Sequence, residues 1–158
     1  MDKQRLRDLL LIALEAELRT MVKAAADARE AATHDDAKPE NDKDTRALEA
    51  SYLAGAQAAR VEELKGNIAF VKTLMVEPCT TAKATALIEL DDGEAEPRLY
   101  FLLPSGGGAK LQGDGGREVT VLTPESPLGR AVLGKKEGDS VEVVTRAGTK
   151  EYEISRLS

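Results

Sequence analysis

Cysteine and histidine each occur once in the 158 residues, tryptophan not at all, and phenylalanine and tyrosine only two and three times. A single cysteine excludes an intrachain disulfide and a thiolate zinc cage. A single histidine excludes a multi-imidazole centre, so any metal ion would have to be held by carboxylates. At 3% aromatic residues the chain lacks stacking platforms for single-stranded nucleic acid and the lining of a large aromatic pocket. Long apolar runs are missing too: the stretch 9–14 is far short of a bilayer span, and the opening MDKQRLRD is no export signal. A cytoplasmic protein with no membrane association is expected. Positive charge is in deficit, with 22 Lys and Arg against 28 Asp and Glu and a net charge of −6. Sequence-specific DNA binding, which needs a basic face that releases counterions, is therefore not expected; a basic protein surface or a metal ion suits an acidic chain better.

Glycine and proline are unevenly placed. Eleven of the 13 glycines and five of the six prolines follow residue 76. This predicts a helical segment over 1–76 and a segment of short strands and turns over 77–158. In the first, Leu11, Leu14, Leu18, Met21, Ala25, Ala28 and Ala32 recur at alternating steps of three and four, the seam of a two-stranded coiled coil. Leu6, Leu9 and Leu10 widen the stripe at its start. Val71, Ile68, Leu64 and Val61, followed by Gln57, Ala54, Ala50 and Ala47, repeat the pattern in reverse. Bulk meets bulk and alanine meets alanine if the two helices run antiparallel, in a hairpin on the order of 45 Å long.

The connector 33–45, THDDAKPENDKDT, forms the tip of that hairpin. It gathers Asp35, Asp36, Glu40, Asp42 and Asp44 against Lys38 and Lys43, and Pro39 stops a helix from running through. Asp44 or Thr45 would cap the second helix, and an acid there also meets the positive end of the helix dipole. The remaining carboxylates are compatible with a solvated loop or with a functional tip. His34 reads as a surface histidine near a helix end and Cys79 as a small buried apolar residue. Tyr52 reads as packing.

Beyond residue 76, alternation predicts strands at 84–90, 98–103, 118–122, 140–145 and 150–154. Between the third and fourth, Ser126 can cap a short helix, with Pro127 at its first position and Gly134 at its exit. Leu128, Ala131, Val132 and Leu133 would be the face that covers the sheet. The fold class is α+β, with a small antiparallel sheet and one short helix. Gly106, Gly107 and Gly108 lack the Lys-Ser/Thr of a phosphate-binding loop and open no helical pattern, so they read as a flexible hairpin turn.

The stretch SPLGRAVLGKKEGDSVEVV, 126–144, resembles the C-terminal signature of the Gre-type bacterial transcription elongation factors. Their architecture is an antiparallel coiled-coil hairpin followed by an FKBP-like domain, so the resemblance covers nearly the whole chain in organisation and the last third in motif. It implies an accessory factor with no catalytic residues of its own, whose partner is bacterial RNA polymerase. Docking at the rim of the secondary channel would involve Ser126 and Pro127, and the hairpin tip would be directed at the catalytic centre, where contact with nascent RNA would be indirect. Asp36, Glu40, Asp42 and Asp44 would be the acids that reach the channel. Asp36 and Glu40 would share a Mg²⁺ ion there, since Mg²⁺ takes hard oxygen ligands, and no cofactor would be bound stably. The tip of the familiar cleavage factors carries an Asp and a Glu three apart, whereas Asp36 and Glu40 are four apart. The alternative is thus a factor that occupies the channel and inhibits or competes without stimulating cleavage. Prolyl isomerisation would need an aromatic-lined pocket that Tyr100, Phe101 and Tyr152 hardly supply, and a chaperone-like gripping tip would need exposed apolar residues where this one has acids.

Overall fold

The computed structural model describes residues 1–33, 45–145 and 148–158. The chain divides into two compact units, one made of Ile12–Phe70 and the other of Met1–Leu11 with Val71–Ser158.

Helix α1 spans Lys3–Thr33. It starts where it does because the Asp2 carboxylate accepts the N–H groups of Gln4 and Arg5 at 2.9 and 3.2 Å, satisfying two of the amides that a helix start leaves without partners. Helix α2 spans Thr45–Thr73. Within Ile12–Phe70 the burial follows the expected seam. Leu14, Val61, Leu64 and Ile68 are buried, while Leu18, Met21, Ala25, Ala28, Ala54 and Gln57 are half-buried and their neighbours exposed. Ala25, Ala26 and Arg29 border one small cavity with Ala54 and Ala58, as an antiparallel pair requires. Tyr52 departs from expectation. It is 72% exposed, because its position lies off the three-four seam and so turns outward.

The other unit is built on a six-stranded sheet. Its strands are β1 (Leu87–Asp91), β2 (Arg98–Leu102), β3 (Lys110–Gln112), β4 (Glu118–Leu122), β5 (Ser140–Thr145) and β6 (Gly148–Leu157). They lie in the order β3-β4-β2-β1-β6-β5. All neighbours are antiparallel except β2 and β4, which run parallel from Leu99 opposite Val119 to Leu102 opposite Leu122. The expectation of a wholly antiparallel sheet fails at this pair for a topological reason. β3 takes the outer edge and reverses the chain once, so β4, returning between β3 and β2, must run in the direction of β2.

The short helix α3, Pro127–Val132, covers one face. Cys79, Ala82, Ala86, Ile88, Leu90, Leu102, Leu122, Val132, Val141 and Ile154 form the buried cluster there, with Leu128 and Ala131 packed against it. Leu133, expected on the covering face, is instead 48% exposed. The chain leaves the helix at this residue (φ −57°, ψ 128°), which swings its side chain off the sheet. Leu6, Leu10 and Val71 are likewise buried. Gly106 shows how closely α1 approaches: a Cβ there would lie 2.8 Å from Cδ1 of Leu10, and its φ of +80° already favours glycine. The glycine run is thus a fixed turn rather than a flexible one, pinned by Gly108 N–H donating to the Val121 carbonyl at 2.8 Å.

Candidate functional site

Asp36, Glu40, Asp42 and Asp44 lie outside the described residues, as does His34. Ser126 and Pro127 are described, and they open α3. The Ser126 hydroxyl accepts the Gly129 N–H at 3.0 Å and donates to the Thr123 carbonyl at 2.7 Å. The Thr123 carbonyl also receives the Ser126 N–H at 3.0 Å. One side chain therefore closes the turn before the helix and caps the helix itself. Pro127 has no N–H to leave unpaired at its first position.

Gly129 explains why the turn is so tight. A Cβ at this position would stand 1.9 Å from the Thr123 carbonyl oxygen and 2.9 Å from the Ser126 hydroxyl. Sequence reading overlooked it, although a glycine inside a six-residue helix, where it weakens the helix, is itself a sign of close backbone approach. Arg130 completes the arrangement: its Nε and Nη2 donate to the Glu125 carbonyl at 3.0 and 2.7 Å, bracing the same turn from outside.

The result is a rigid surface rather than a pocket. Glu125, Pro127, Arg130 and Leu133 are exposed and Ser126 and Leu128 half-buried. No nucleophile and base are brought together here, and among the described residues no group of three or more His, Cys, Asp or Glu is arranged to hold a metal ion. Such a face can present a shape to another macromolecule.

The shifted titrating groups lie elsewhere in this unit and hold structure. Lys150 donates to Asp92 at 2.7 Å and to Glu94 at 3.2 Å. The Lys150 hydrogen bond, with help from the Glu94 backbone N–H, lowers the Asp92 carboxyl to about 2, and the same contacts raise Lys150. Asp114 is held below the usual carboxylate range chiefly by the Asp2 N–H, which it accepts at 2.9 Å, and it also pairs with Arg5 at 2.9 Å. Burial pushes the Lys3 ammonium down; it donates to the Glu77 carbonyl at 2.6 Å. No described helix is long and apolar enough to cross a membrane.

Known proteins resemble the chain over both units. The family described as "Transcription elongation factor, GreA/GreB, C-term" matches residues 112–158, which include the whole of α3. A protein named transcription elongation factor GreA, from Jannaschia sp. (strain CCS1), is 33% identical over 141 residues, covering 87% of this chain and 81% of the relative. Another of that name, from Ruegeria pomeroyi, is 31% identical over 151 residues, covering 90% and 88%. The crystal structure of GreA factor homolog 1 from Thermus thermophilus aligns over 94% of both chains at 17% identity, with a TM-score of 0.38.

Proposed function

This chain belongs to the GreA/GreB family of transcription elongation factors, and from that premise we propose that it binds bacterial RNA polymerase through the α3 surface. Members of this family are accessory factors rather than enzymes. The observation that carries the reading is the braced Thr123–Arg130 turn. A serine cap, a glycine that admits no side chain and an arginine brace hold Pro127 and its neighbours in one conformation, within the segment that the family match spans. A surface held in its bound shape binds at lower entropic cost.

In this proposal the α3 surface docks at the rim of the secondary channel. Asp36, Glu40, Asp42 and Asp44 reach toward the catalytic centre, where Asp36 and Glu40 share Mg²⁺ with the polymerase. Carboxylates suit that role because Mg²⁺ prefers hard oxygen ligands and retains its waters. The factor would then act on backtracked complexes by promoting transcript cleavage. The four-residue spacing of Asp36 and Glu40, against three in the familiar cleavage tip, favours a second reading, in which the protein occupies the channel and competes without cleavage.

One experiment separates these. Purified cognate polymerase stalled in backtracked elongation complexes is mixed with the protein and Mg²⁺, and both binding and shortening of the RNA are followed. Binding with cleavage supports the first reading, and binding without it assigns the second. Asp36→Ala with Glu40→Ala should leave binding intact and remove any effect at the catalytic centre. If that pair abolishes binding instead, the roles given to the two ends of the molecule are wrong.

A further inference from the structure

Strand β5 is the last strand on its side of the sheet, so one of its edges has no neighbouring strand. The Ile154 N–H donates to the Asp139 carbonyl at 2.9 Å. Because ladder bonds alternate along an antiparallel pair, the main-chain groups of Val141 and Val143 then face β6, and those of Ser140, Glu142 and Val144 face outward. Among the described residues no backbone hydrogen bond reaches that outer edge. Natural sheets blunt a free edge with proline, a bulge, inward-pointing charge or lysine, and β5 has none of these. Its sequence is SVEVVT, its register against β6 runs without a shift from Ser140 opposite Glu153 to Thr145 opposite Gly148, and Val144 is 77% exposed.

The face beside this edge is acidic. Glu142 stands directly opposite Glu151, and both are exposed; like charges across one rung cost stability. Asp91, Glu151 and Glu153 border a shallow hollow of about 260 Å³ together with Ser140. In the ladder segments 140–145 and 148–153 the only cation is Lys150, and it is shared between two further carboxylates, Asp92 at 2.7 Å and Glu94 at 3.2 Å. With every carboxylate counted as charged, Asp91, Asp92, Glu94, Glu142, Glu151 and Glu153 are set against one ammonium. Ahead of β5, Lys135 and Lys136 are matched in number by Glu137 and Asp139, and Arg156, the next cation along β6, lies opposite Glu89.

We infer that the outer edge of β5 takes up an extended, basic segment of another protein as an added strand, with a lysine or arginine set against Glu142 and Glu151. Main-chain hydrogen bonds supply the affinity and the acids select the partner. A cation at that rung removes the like-charge cost, and its aliphatic stem covers Val144. A second copy of the chain fits worse, because pairing β5 with itself brings two Glu142–Glu151 rungs together. A nucleic acid offers no strand ladder and carries the wrong charge. The inference goes beyond the docking reading above: Val141 packs in the cluster that α3 covers, so Glu142, one residue on, turns to the other face of the sheet.

The probe is a short synthetic peptide alternating lysine with valine, titrated into the isotopically labelled full chain and followed by NMR. The amide signals of Ser140, Glu142 and Val144 should move, and exchange of their protons with solvent should slow about tenfold or more. N-methylation of the peptide nitrogens that would face β5 keeps the charge and removes the donors, and affinity should fall about tenfold or more. Glu142→Lys with Glu151→Lys should weaken binding by a similar factor at low salt and far less at ~0.5 M. A peptide with glutamate in place of lysine should not bind. Equal affinity of the methylated peptide refutes strand addition, and equal affinity of the glutamate peptide or of the double variant refutes selection by charge. An unchanged melting temperature shows that the double variant is folded; if it is not, the two altered peptides decide alone. Absence of binding by the lysine peptide overturns the inference. A concentration-dependent dimer in sedimentation that Val144→Pro abolishes gives the edge to a second copy and overturns the choice of occupant.

Discussion

Replacing Gly129 by alanine tests the construction of the α3 turn directly. The added Cβ would lie 1.9 Å from the Thr123 carbonyl oxygen, where ordinary contact begins near 3.4 Å, so about 1.5 Å of overlap must be relieved. The obstacle is backbone and cannot rotate away. Moving the carbonyl sacrifices the bonds it receives from the Ser126 N–H (3.0 Å) and the Ser126 hydroxyl (2.7 Å), together about 2 kcal/mol at typical net values. With the displacement shared between the two backbones, Gly129 moves as well and loses the 3.0 Å cap from its N–H to the Ser126 hydroxyl, about 1 kcal/mol. A combined cost of about 3 kcal/mol corresponds to a fall in melting temperature of roughly 6–12 °C for a domain of this size. Scanning calorimetry reads this, and affinity for polymerase should fall in parallel because the surface is no longer held. Ser126→Ala should cost less, about 1–2 kcal/mol, since it removes a hydroxyl without forcing overlap. A Gly129→Ala protein melting within about 2 °C of wild type would refute the claim that backbone contact dictates this residue.

The Ser105 hydroxyl is buried with no hydrogen-bond partner among the described residues, and an unpaired buried group costs roughly 1–3 kcal/mol. Ser105→Ala should therefore melt at or above the wild-type temperature, and a loss of more than about 1 kcal/mol by denaturant titration would contradict the reading. Asp92, with its carboxyl lowered to about 2 from 3.8, contributes stability that is complete above the higher value and disappears as pH falls through the lower. Asp92→Asn should flatten the dependence of melting temperature on pH in that acid window, and an unchanged slope would rule out this ion pair as its source. Gly106→Ala should destabilise by about 1–2 kcal/mol from its left-handed backbone alone. Combined with Leu10→Ala, which empties the space its Cβ would enter, it should cost less than the sum of the two single changes by at least about 0.5 kcal/mol; strict additivity would show that the two residues do not meet.

Elements that write themselves locally were legible in the sequence. The three-four spacing of Leu14, Leu18, Met21 and Ala25 carries its own geometry, and the sequence Ser126-Pro127 fits a helix start whatever surrounds it. β3 was not legible, because three residues, Lys-Leu-Gln, leave no alternation to read between glycines. The parallel pairing of β2 with β4 is likewise invisible in one dimension: a strand's pattern shows which face is buried and not which neighbour it meets. Leu133 was misplaced because extending the helical pattern by a single residue puts it on the sheet, whereas the chain has already left the helix there. The contribution of Gly129 depends on a carbonyl six residues away in sequence, a contact that no linear pattern displays. The acidic tip, the boldest feature of the sequence, lies outside the described residues, and its role rests on chemistry and kinship.

The division of the chain also dictates an order of assembly. The helical unit Ile12–Phe70 is one uninterrupted stretch, so a ribosome can release it whole and it can zip up from local contacts. The sheet unit is interlocked across that stretch. Asp114 grips Asp2 and Arg5, Gly106 receives Leu10, and β1 pairs with β6, synthesised well after it. Its earliest-made residues must therefore wait, through the growth of the entire hairpin, for partners translated more than a hundred positions later. Non-local closure of this kind is slow, so the hairpin is expected to form first and bring the two ends of its own chain together, shortening the search for the sheet that follows.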